Sequence, residues 1–238
     1  MNITIAGMTA RALLGRRRLL LLLPMPMLLI GLALLARAGG AHVDNWAPIV
    51  LGQLGLGVIL PLTALIVGSS VLGLEIEDGT ITHVLSKPLP RSEIVLTKLA
   101  VAWAVTAITT AVPLAAVGAI AGSPALAAGM GIGAAVGALA YTAMFLALSL
   151  VTRRPVAVGL VYIVLWENLL VRFVSGAKGL SVQQYAATLA HGISGNDILP
   201  ATGLSAMAAA LLTAAFVIAG TTLATNRLRS FSLTGETS

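Results

Sequence analysis

The chain has 238 residues, of which 58% are hydrophobic and only 9% charged, and its mean hydropathy is +1.00. A soluble domain carries about 25% charged residues, so this composition excludes an ordinary soluble protein and indicates an integral membrane protein. The absence of cysteine excludes disulfides, thiol catalysis and thiolate metal sites. The net charge of +6 does not indicate nucleic-acid binding, because the basic residues stand at the ends of apolar runs, as membrane topology requires.

The N-terminal segment, residues 1–18, is basic and weakly amphipathic. It contains four arginines, and Ile5, Met8 and Ala12 recur at helical spacing. This pattern predicts an interfacial helix on the cytoplasmic headgroups, in which the arginines reach phosphates while the apolar stripe sinks into the membrane. The alternative is a frayed basic tail that only sets the topology.

Six apolar segments are long enough to cross a bilayer, which takes about 20 residues in a helix. They are residues 19–36, 49–74, 99–121, 126–151, 155–173 and 203–225. Prolines interrupt the first three, which a helical bundle tolerates where neighbours satisfy the freed carbonyls. The sequence therefore predicts an all-α integral membrane protein with a six-span domain over residues 19–226, followed by a cytoplasmic tail over 227–238.

The basic residues set the predicted orientation. Arg153 and Arg154 interrupt the apolar tract between spans four and five, and two arginines are too costly for a membrane centre, so they mark a cytoplasmic turn. With the N-terminus inside, eleven lysines and arginines lie on the cytoplasmic side and three lie outside. This positive-inside bias predicts that both termini are cytoplasmic.

The outer segment of residues 174–202 is long and only weakly polar. Within it, the stretch VQQYAATLAHGI has helical composition and retains Tyr185, Leu189 and Ile193. A short outer-leaflet or re-entrant helix before span six accounts for these side chains better than a free loop does. No internal repeat is evident, so the pattern does not favour an inverted-repeat secondary transporter.

A polar island, EIEDGTITHVLSKPLPRSEIVLTK, occupies residues 75–98 between spans two and three. Asp78 and Gly79 predict a turn, after which Thr80 can begin a short helix. That helix is expected to end before Pro88, since proline disfavours a helical conformation in the preceding residue.

Ile81, Val84 and Leu85 give this short helix one apolar face. So short a helix is unstable alone in water, so packing on its own bundle or in a groove of another protein must hold it. Ser92 is predicted to be the N-cap of span three, with Glu93 in the first turn. The alternative is a solvated loop with helix caps at both ends.

The polar island contains a run of residues, between the ends of the second and third spans, that resembles part of a known protein family. These residues are Glu75, Glu77, Gly79, Thr80, Ile81, Leu85, Ser86, Pro88, Arg91, Ile94 and Lys98. The run resembles the first cytoplasmic loop of type-two ABC transporter permeases. With six predicted spans, a basic N-terminal helix and a long final outer loop, the resemblance covers nearly the whole chain.

The resemblance implies a permease subunit of an ATP-driven ABC transporter in a prokaryotic plasma membrane, and it favours export. Such a permease pairs with a second copy or a sister permease and docks two ATPase subunits, whose groove receives a coupling helix. By that resemblance, residues 79–91 would transmit movement from the ATPase to the spans. The implied coupling residues are Glu75, Glu77, Gly79, Thr80, Ile81, Val84, Leu85, Pro88 and Arg91.

The chain has no nucleotide-binding motif of its own, because no GxxxxGK[ST] run is present. ATP and magnesium are therefore expected on a separate ATPase subunit, and this chain is expected to bind no cofactor and to be no enzyme. The three histidines are scattered without ligand spacing, so no metal site is expected. Membrane lipids are the remaining expected partners.

Glu167 lies in span five, about 18 Å from Pro155 at about 1.5 Å per residue, in the outer half of the membrane. A carboxylate there is costly, so it should face a partner, a cavity or water. Substrate contact, proton coupling and a subunit interface are the functional alternatives, and snorkelling outward or pairing with Arg172 is the structural one. The residues predicted to line a translocation path are Gln53, Thr63, Glu167 and Asn168.

Gly129, Gly133 and Gly137 form a stripe of small residues on span four. Such stripes allow close helix packing, either inside one subunit or between two subunits.

The alternative function is a secondary transporter or channel that works without ATP. It would need coupling charges within the spans, and Glu167 is the candidate in this sequence.

Overall fold

The computed structural model of the chain describes residues 7, 9, 22–77, 90–173, 179–195, 198–199 and 203–234. Within these residues the regular structure is helical and contains no strand, which confirms the predicted all-α class. We number the helices in chain order as α1 (Pro24–Ala38), α2 (Val43–Ala47, Pro48–Ile59 and Leu60–Glu77), α3 (Arg91–Ile120), α4 (Pro124–Val151), α5 (Pro155–Val161, Tyr162–Leu170 and Val171–Phe173), α6 (Val182–Ser194) and α7 (Ala206–Thr234).

Four helical stretches are long and apolar enough to cross a membrane, and these are Val43–Leu72, Arg91–Ile120, Pro124–Val151 and Ala206–Ser230. They coincide with predicted spans two, three, four and six. Over predicted spans one and five the apolar helices are shorter, at Pro24–Ala38 and Pro155–Leu170. Within the described residues, four of the six predicted spans are therefore long enough to cross a membrane. Residues 19–21 of predicted span one lie outside the described residues.

Helix α4 is the centre of the bundle, since α2, α3, α6 and α7 all pack against it. Ser123 caps its N-terminus by accepting a hydrogen bond from the Leu126 N–H at 3.2 Å, and Pro124 follows at a position where its missing N–H costs nothing. In its buried core, the rings of Tyr141 and Phe145 stack with centroids 5.9 Å apart.

Two segments are π-helical, Pro48–Ile59 in α2 and Tyr162–Leu170 in α5. In the first, the Leu60 N–H donates to the Gly55 carbonyl five residues back. This register ends one residue before Pro61, which has no N–H to donate. The sequence predicted interruptions at proline but not the wider turns, because hydrophobic periodicity does not distinguish a π turn from an α turn.

The boundaries around the polar island differ from those predicted. Helix α3 begins at Arg91, eight residues before predicted span three, and its N-cap is Pro90 in an extended conformation. The Pro90 carbonyl accepts the Glu93 N–H at 2.9 Å. The prediction of Ser92 as the N-cap is therefore wrong, because Ser92 lies within the first turn. The helix begins directly after Pro90, whose extended backbone conformation places it outside the helix.

Some predicted segments lie wholly or partly outside the described residues. The predicted interfacial helix over 1–18 is described only at residues 7 and 9, and the predicted coupling helix falls within residues 78–89. Helix α7 continues to Thr234, so most of the predicted tail over 227–238 extends the last helix.

Candidate functional site

Glu167 is buried in α5, with 2% of its surface exposed. Its Oε1 accepts hydrogen bonds from Tyr141 Oη at 2.9 Å, from Tyr162 Oη at 3.1 Å and from the Val182 N–H at 3.0 Å. Its Oε2 accepts a hydrogen bond from Ser181 Oγ. An ionised carboxylate can only accept hydrogen bonds, so these four donors form a site that fits a negative charge.

The carboxylate binds the beginning of α6. Ser181 is the N-cap of this helix, because its Oγ accepts the Gln184 N–H at 3.2 Å while donating to Glu167. The Val182 N–H belongs to the first turn, where backbone donors have no partner inside the helix. Glu167 therefore satisfies an otherwise free donor and places an anion at the positive end of the helix dipole.

Two further hydrogen bonds hold the chain just before α6. Trp166 Nε1 donates to the Leu180 carbonyl at 3.2 Å, which joins this segment to α5. Tyr185 Oη donates to the Gly179 carbonyl at 2.5 Å. The Tyr185 ring also packs edge-on against Phe216 of α7, with centroids 5.9 Å apart. The start of α6 is thus fixed to α5 and α7 as well as to Glu167.

Helix α6 packs along the glycine stripe of α4. A Cβ atom on Gly133 would lie 2.5 Å from the Ala186 carbonyl oxygen and 2.9 Å from Ala190 Cβ. A Cβ atom on Gly129 would be equally close to the Ala190 carbonyl oxygen, and a Cβ on Gly137 would lie 2.9 Å from Ala186 Cβ. These contacts favour packing inside one subunit, which was one of the two alternatives for the stripe.

The same contacts fix the direction of α6. It runs antiparallel to α4, with Ser194 beside Gly129 near the start of α4 and its first residue at the level of Glu167. Glu167 is less than about 18 Å along α5 from Pro155, because an α-helix rises about 1.5 Å per residue and the wider turns of the π-helical segment from Tyr162 rise less. Helix α6 therefore begins at mid-bundle depth and runs toward the start of α4, which favours the re-entrant alternative over the outer-leaflet one.

The predicted path residues on α2 lie in different environments. Gln53 is exposed on the π-helical segment. Thr63 is buried, and its Oγ1 lies 3.5 Å from Met25 Sδ of α1 as a hydrogen-bond donor. These two side chains differ in burial, and their role in a path stays a prediction.

On α5, Asn168 is half-buried and its Nδ2 donates to the Ile163 carbonyl at 2.9 Å, an intrahelical bond of the π turn. Glu167 does not snorkel outward, since it is buried among its four donors. Pairing with Arg172 stays a prediction, because that side chain is outside the described part. Substrate contact and proton coupling by Glu167 are likewise untested predictions.

The predicted coupling residues are described only at the edges of the island. Glu75 and Glu77 belong to the last turn of α2, and Arg91 is the first residue of α3. Next to them, Lys98 is buried and its Nζ donates to the Val71 carbonyl at 3.2 Å, which joins α3 to α2. The remaining coupling residues lie outside the described residues and stay predictions, and these are Gly79, Thr80, Ile81, Val84, Leu85 and Pro88.

Sequence reasoning missed the donors to Glu167. Tyr141 and Tyr162 carry no motif. The Tyr141 hydroxyl meets the carboxylate through the packing of α4 on α5, whereas Tyr162 lies five residues before Glu167 in the same π-helical segment. A signal did exist for Ser181, because Ser181 and Gln184 form the S-x-x-Q pattern of a helix N-terminus. That pattern would have predicted where α6 begins, but it would not have identified Glu167 as the partner of its first turn.

Comparison with curated proteins gives no match for the chain. Comparison with protein-family models gives a match to the family described as ABC-2 family transporter protein, over residues 34–194. The matched region covers about two thirds of the chain and includes the Glu167 site, the glycine stripe and the whole of α6. This match, together with the apolar helices long enough to cross a membrane, confirms the resemblance to type-two ABC permeases. The chain therefore belongs to the ABC-2 family of transporter proteins and is a multi-pass membrane permease.

Proposed function

We propose that the chain is the membrane subunit of an ATP-driven exporter in a prokaryotic plasma membrane, driven by a separate ATPase that binds residues 79–91. Family membership over residues 34–194 is the observation that carries this proposal. The proposal includes six spans, with α1 and α5 as the two shorter ones, and pairing with a second copy or a sister permease. ATP and magnesium then belong to the two ATPase subunits.

The packing beside the island supports a mechanical role for it. The island connects the ends of α2 and α3, and the bond from Lys98 Nζ to the Val71 carbonyl joins these two helices. Both helices pack extensively on α4. A push on residues 79–91 would therefore reach the central helix through packed elements rather than through a flexible linker.

At the other end of the bundle, the packing of α6 supports a role as the outer closure. The glycine stripe holds α6 to α4, and Glu167 holds its first turn to α5. In this proposal Glu167 is a positioning residue that keeps the re-entrant helix in place. An ATP-independent transporter with Glu167 as its coupling charge has less support, because four hydrogen-bond donors already hold the carboxylate at the start of α6.

The test is recovery of the tagged chain from its native membranes in a mild detergent, followed by mass spectrometry of the proteins that accompany it. We expect a stoichiometric ATPase with the unmodified chain and none with Leu85→Asp, because a buried carboxylate in the docking groove is costly. Leu85→Met is the matched control, since it conserves volume and apolarity and should retain the ATPase. Undiminished recovery of the ATPase with Leu85→Asp would refute the docking proposal.

A further inference from the structure

An apolar groove of about 370 Å³ lies between α4, α5 and α7. Its lining includes Leu148, Val151, Val158, Tyr162, Ala219 and Leu223. The one hydroxyl in the lining, that of Tyr162, donates to Glu167. Val151, Val158 and Leu223, at the end of the groove near the α4–α5 turn, are each nearly half exposed. The groove is thus apolar along its length and accessible from the side of the bundle.

Close helix contacts keep the groove from collapsing. Gly220 brings the α7 backbone against α4, because a Cβ there would lie 2.9 Å from the Ala143 carbonyl oxygen. Gly159 brings α5 close to Leu65 of α2 and to Phe145 of α4, because a Cβ there would lie 3.2 Å from the Phe145 ring. The three helices are therefore already in close contact beside the groove.

Three arginines surround the open end of the groove. Arg153 and Arg154 follow Val151 after one residue, in the turn between α4 and α5, and Arg227 is one helical turn beyond Leu223 on the same face of α7. All three are exposed, and none of their guanidinium groups is paired with another side chain in the described part of the chain. The groove thus combines an apolar interior with a strongly basic entrance.

We propose that the groove and the three arginines bind one anionic phospholipid, with an acyl chain in the groove and the phosphate between the guanidinium groups. The lipid comes from the leaflet at this end of the bundle, which is cytoplasmic in the predicted orientation. Lipid tails are as apolar as the groove, so an acyl chain alone gains little there, and selectivity must come from the headgroup. This inference does not depend on coupling to an ATPase.

The charge of the entrance also decides against a second copy of the chain as the occupant. A two-fold interface through this groove would bring the same surface of each copy together. Arg153, Arg154 and Arg227 of one copy would then lie near those of the other, and like charges repel. An anionic headgroup satisfies the same arginines.

The test uses the full chain in vesicles of equal parts phosphatidylglycerol and phosphatidylcholine, with a photoactivatable group at the acyl end of the phosphatidylglycerol. After irradiation, peptide mass spectrometry locates the adducts. We expect adducts within residues 144–151 and 216–223. Ala219→Trp should abolish them by filling the groove, whereas Ala214→Trp, at an exposed position on the opposite face of α7, should leave them unchanged.

The headgroup contribution is tested separately. A basic residue near an anionic surface contributes about 1 kcal/mol, or about fivefold in binding, so Arg153→Gln with Arg227→Gln should lower the adduct yield by roughly 25-fold. Arg229→Gln removes the same charge at a similar depth from another face of α7 and should change the yield little. Equal labelling by photoactivatable phosphatidylcholine, labelling that survives Ala219→Trp, or crosslinks between two chains across the groove would each overturn the proposal.

Discussion

Removal of the Glu167 carboxylate tests how firmly α6 is held. Glu167→Ala eliminates four hydrogen bonds, and hydrogen bonds between membrane helices contribute about 0.6 kcal/mol each on average, or about 2.4 kcal/mol in total. The truncation also leaves a cavity and buried donors without an acceptor, such as the Tyr141 hydroxyl and the Val182 N–H. We therefore expect a loss of about 3–5 kcal/mol in the free energy of unfolding.

The detergent-solubilised chain is heated to a series of temperatures. Size-exclusion chromatography then measures the fraction of protein that remains monodisperse at each temperature. For a chain of this size, about 2–4 °C per kcal/mol converts the expected loss into a decrease in Tm of roughly 10 °C. Glu167→Gln preserves the shape and one oxygen acceptor, so it should lose about 1 kcal/mol. Asp44→Ala removes an exposed carboxylate at the start of α2 and is the control. If Glu167→Ala melts within about 2 °C of the unmodified chain, Glu167 does not hold α6.

Two other changes test the packing and the topology. Gly133→Ala should destabilise the chain by about 1–3 kcal/mol in the same assay, because its Cβ would lie 2.5 Å from the Ala186 carbonyl oxygen, whereas Gly31→Ala, with open space around it, should be nearly neutral. An equal effect of the two would contradict the close packing of α6 on α4. Since the chain has no cysteine, Arg153→Cys provides a unique thiol. A membrane-impermeant maleimide should label it only after the cells are permeabilised, and labelling in intact cells would reverse the predicted orientation.

The helical class and most helix positions could be predicted because they depend on local composition. Apolar runs of membrane length located α2, α3, α4 and α7, and the short stretch that became α6 was found from its helical composition. The start of α3 was predicted two residues late, because serine is a preferred N-cap residue and Ser92 follows the observed N-cap, Pro90, by two positions. Lys98 is the last residue of the polar island in the sequence, yet its side chain is buried between α2 and α3.

The Glu167 site depends on contacts between distant parts of the chain, and a single sequence does not contain them. Tyr141 is 26 residues before Glu167 and Ser181 is 14 residues after it. The carboxylate could be recognised as costly from its position in an apolar segment, which is a local property. Ser181 and the Val182 N–H could not be recognised as its partners, because their position follows from the antiparallel packing of α6 on the glycine stripe of α4.

The order of synthesis gives the bond between Glu167 and α6 a further consequence. When α5 leaves the ribosome, the carboxylate has entered an apolar helix but two of its donors, Ser181 and the Val182 N–H, have not yet emerged. A carboxylate at the centre of an inserting helix costs about 3 kcal/mol. We therefore expect α5 to insert stably only after α6 has folded back against it, so that the last quarter of the chain completes the insertion of a helix made earlier.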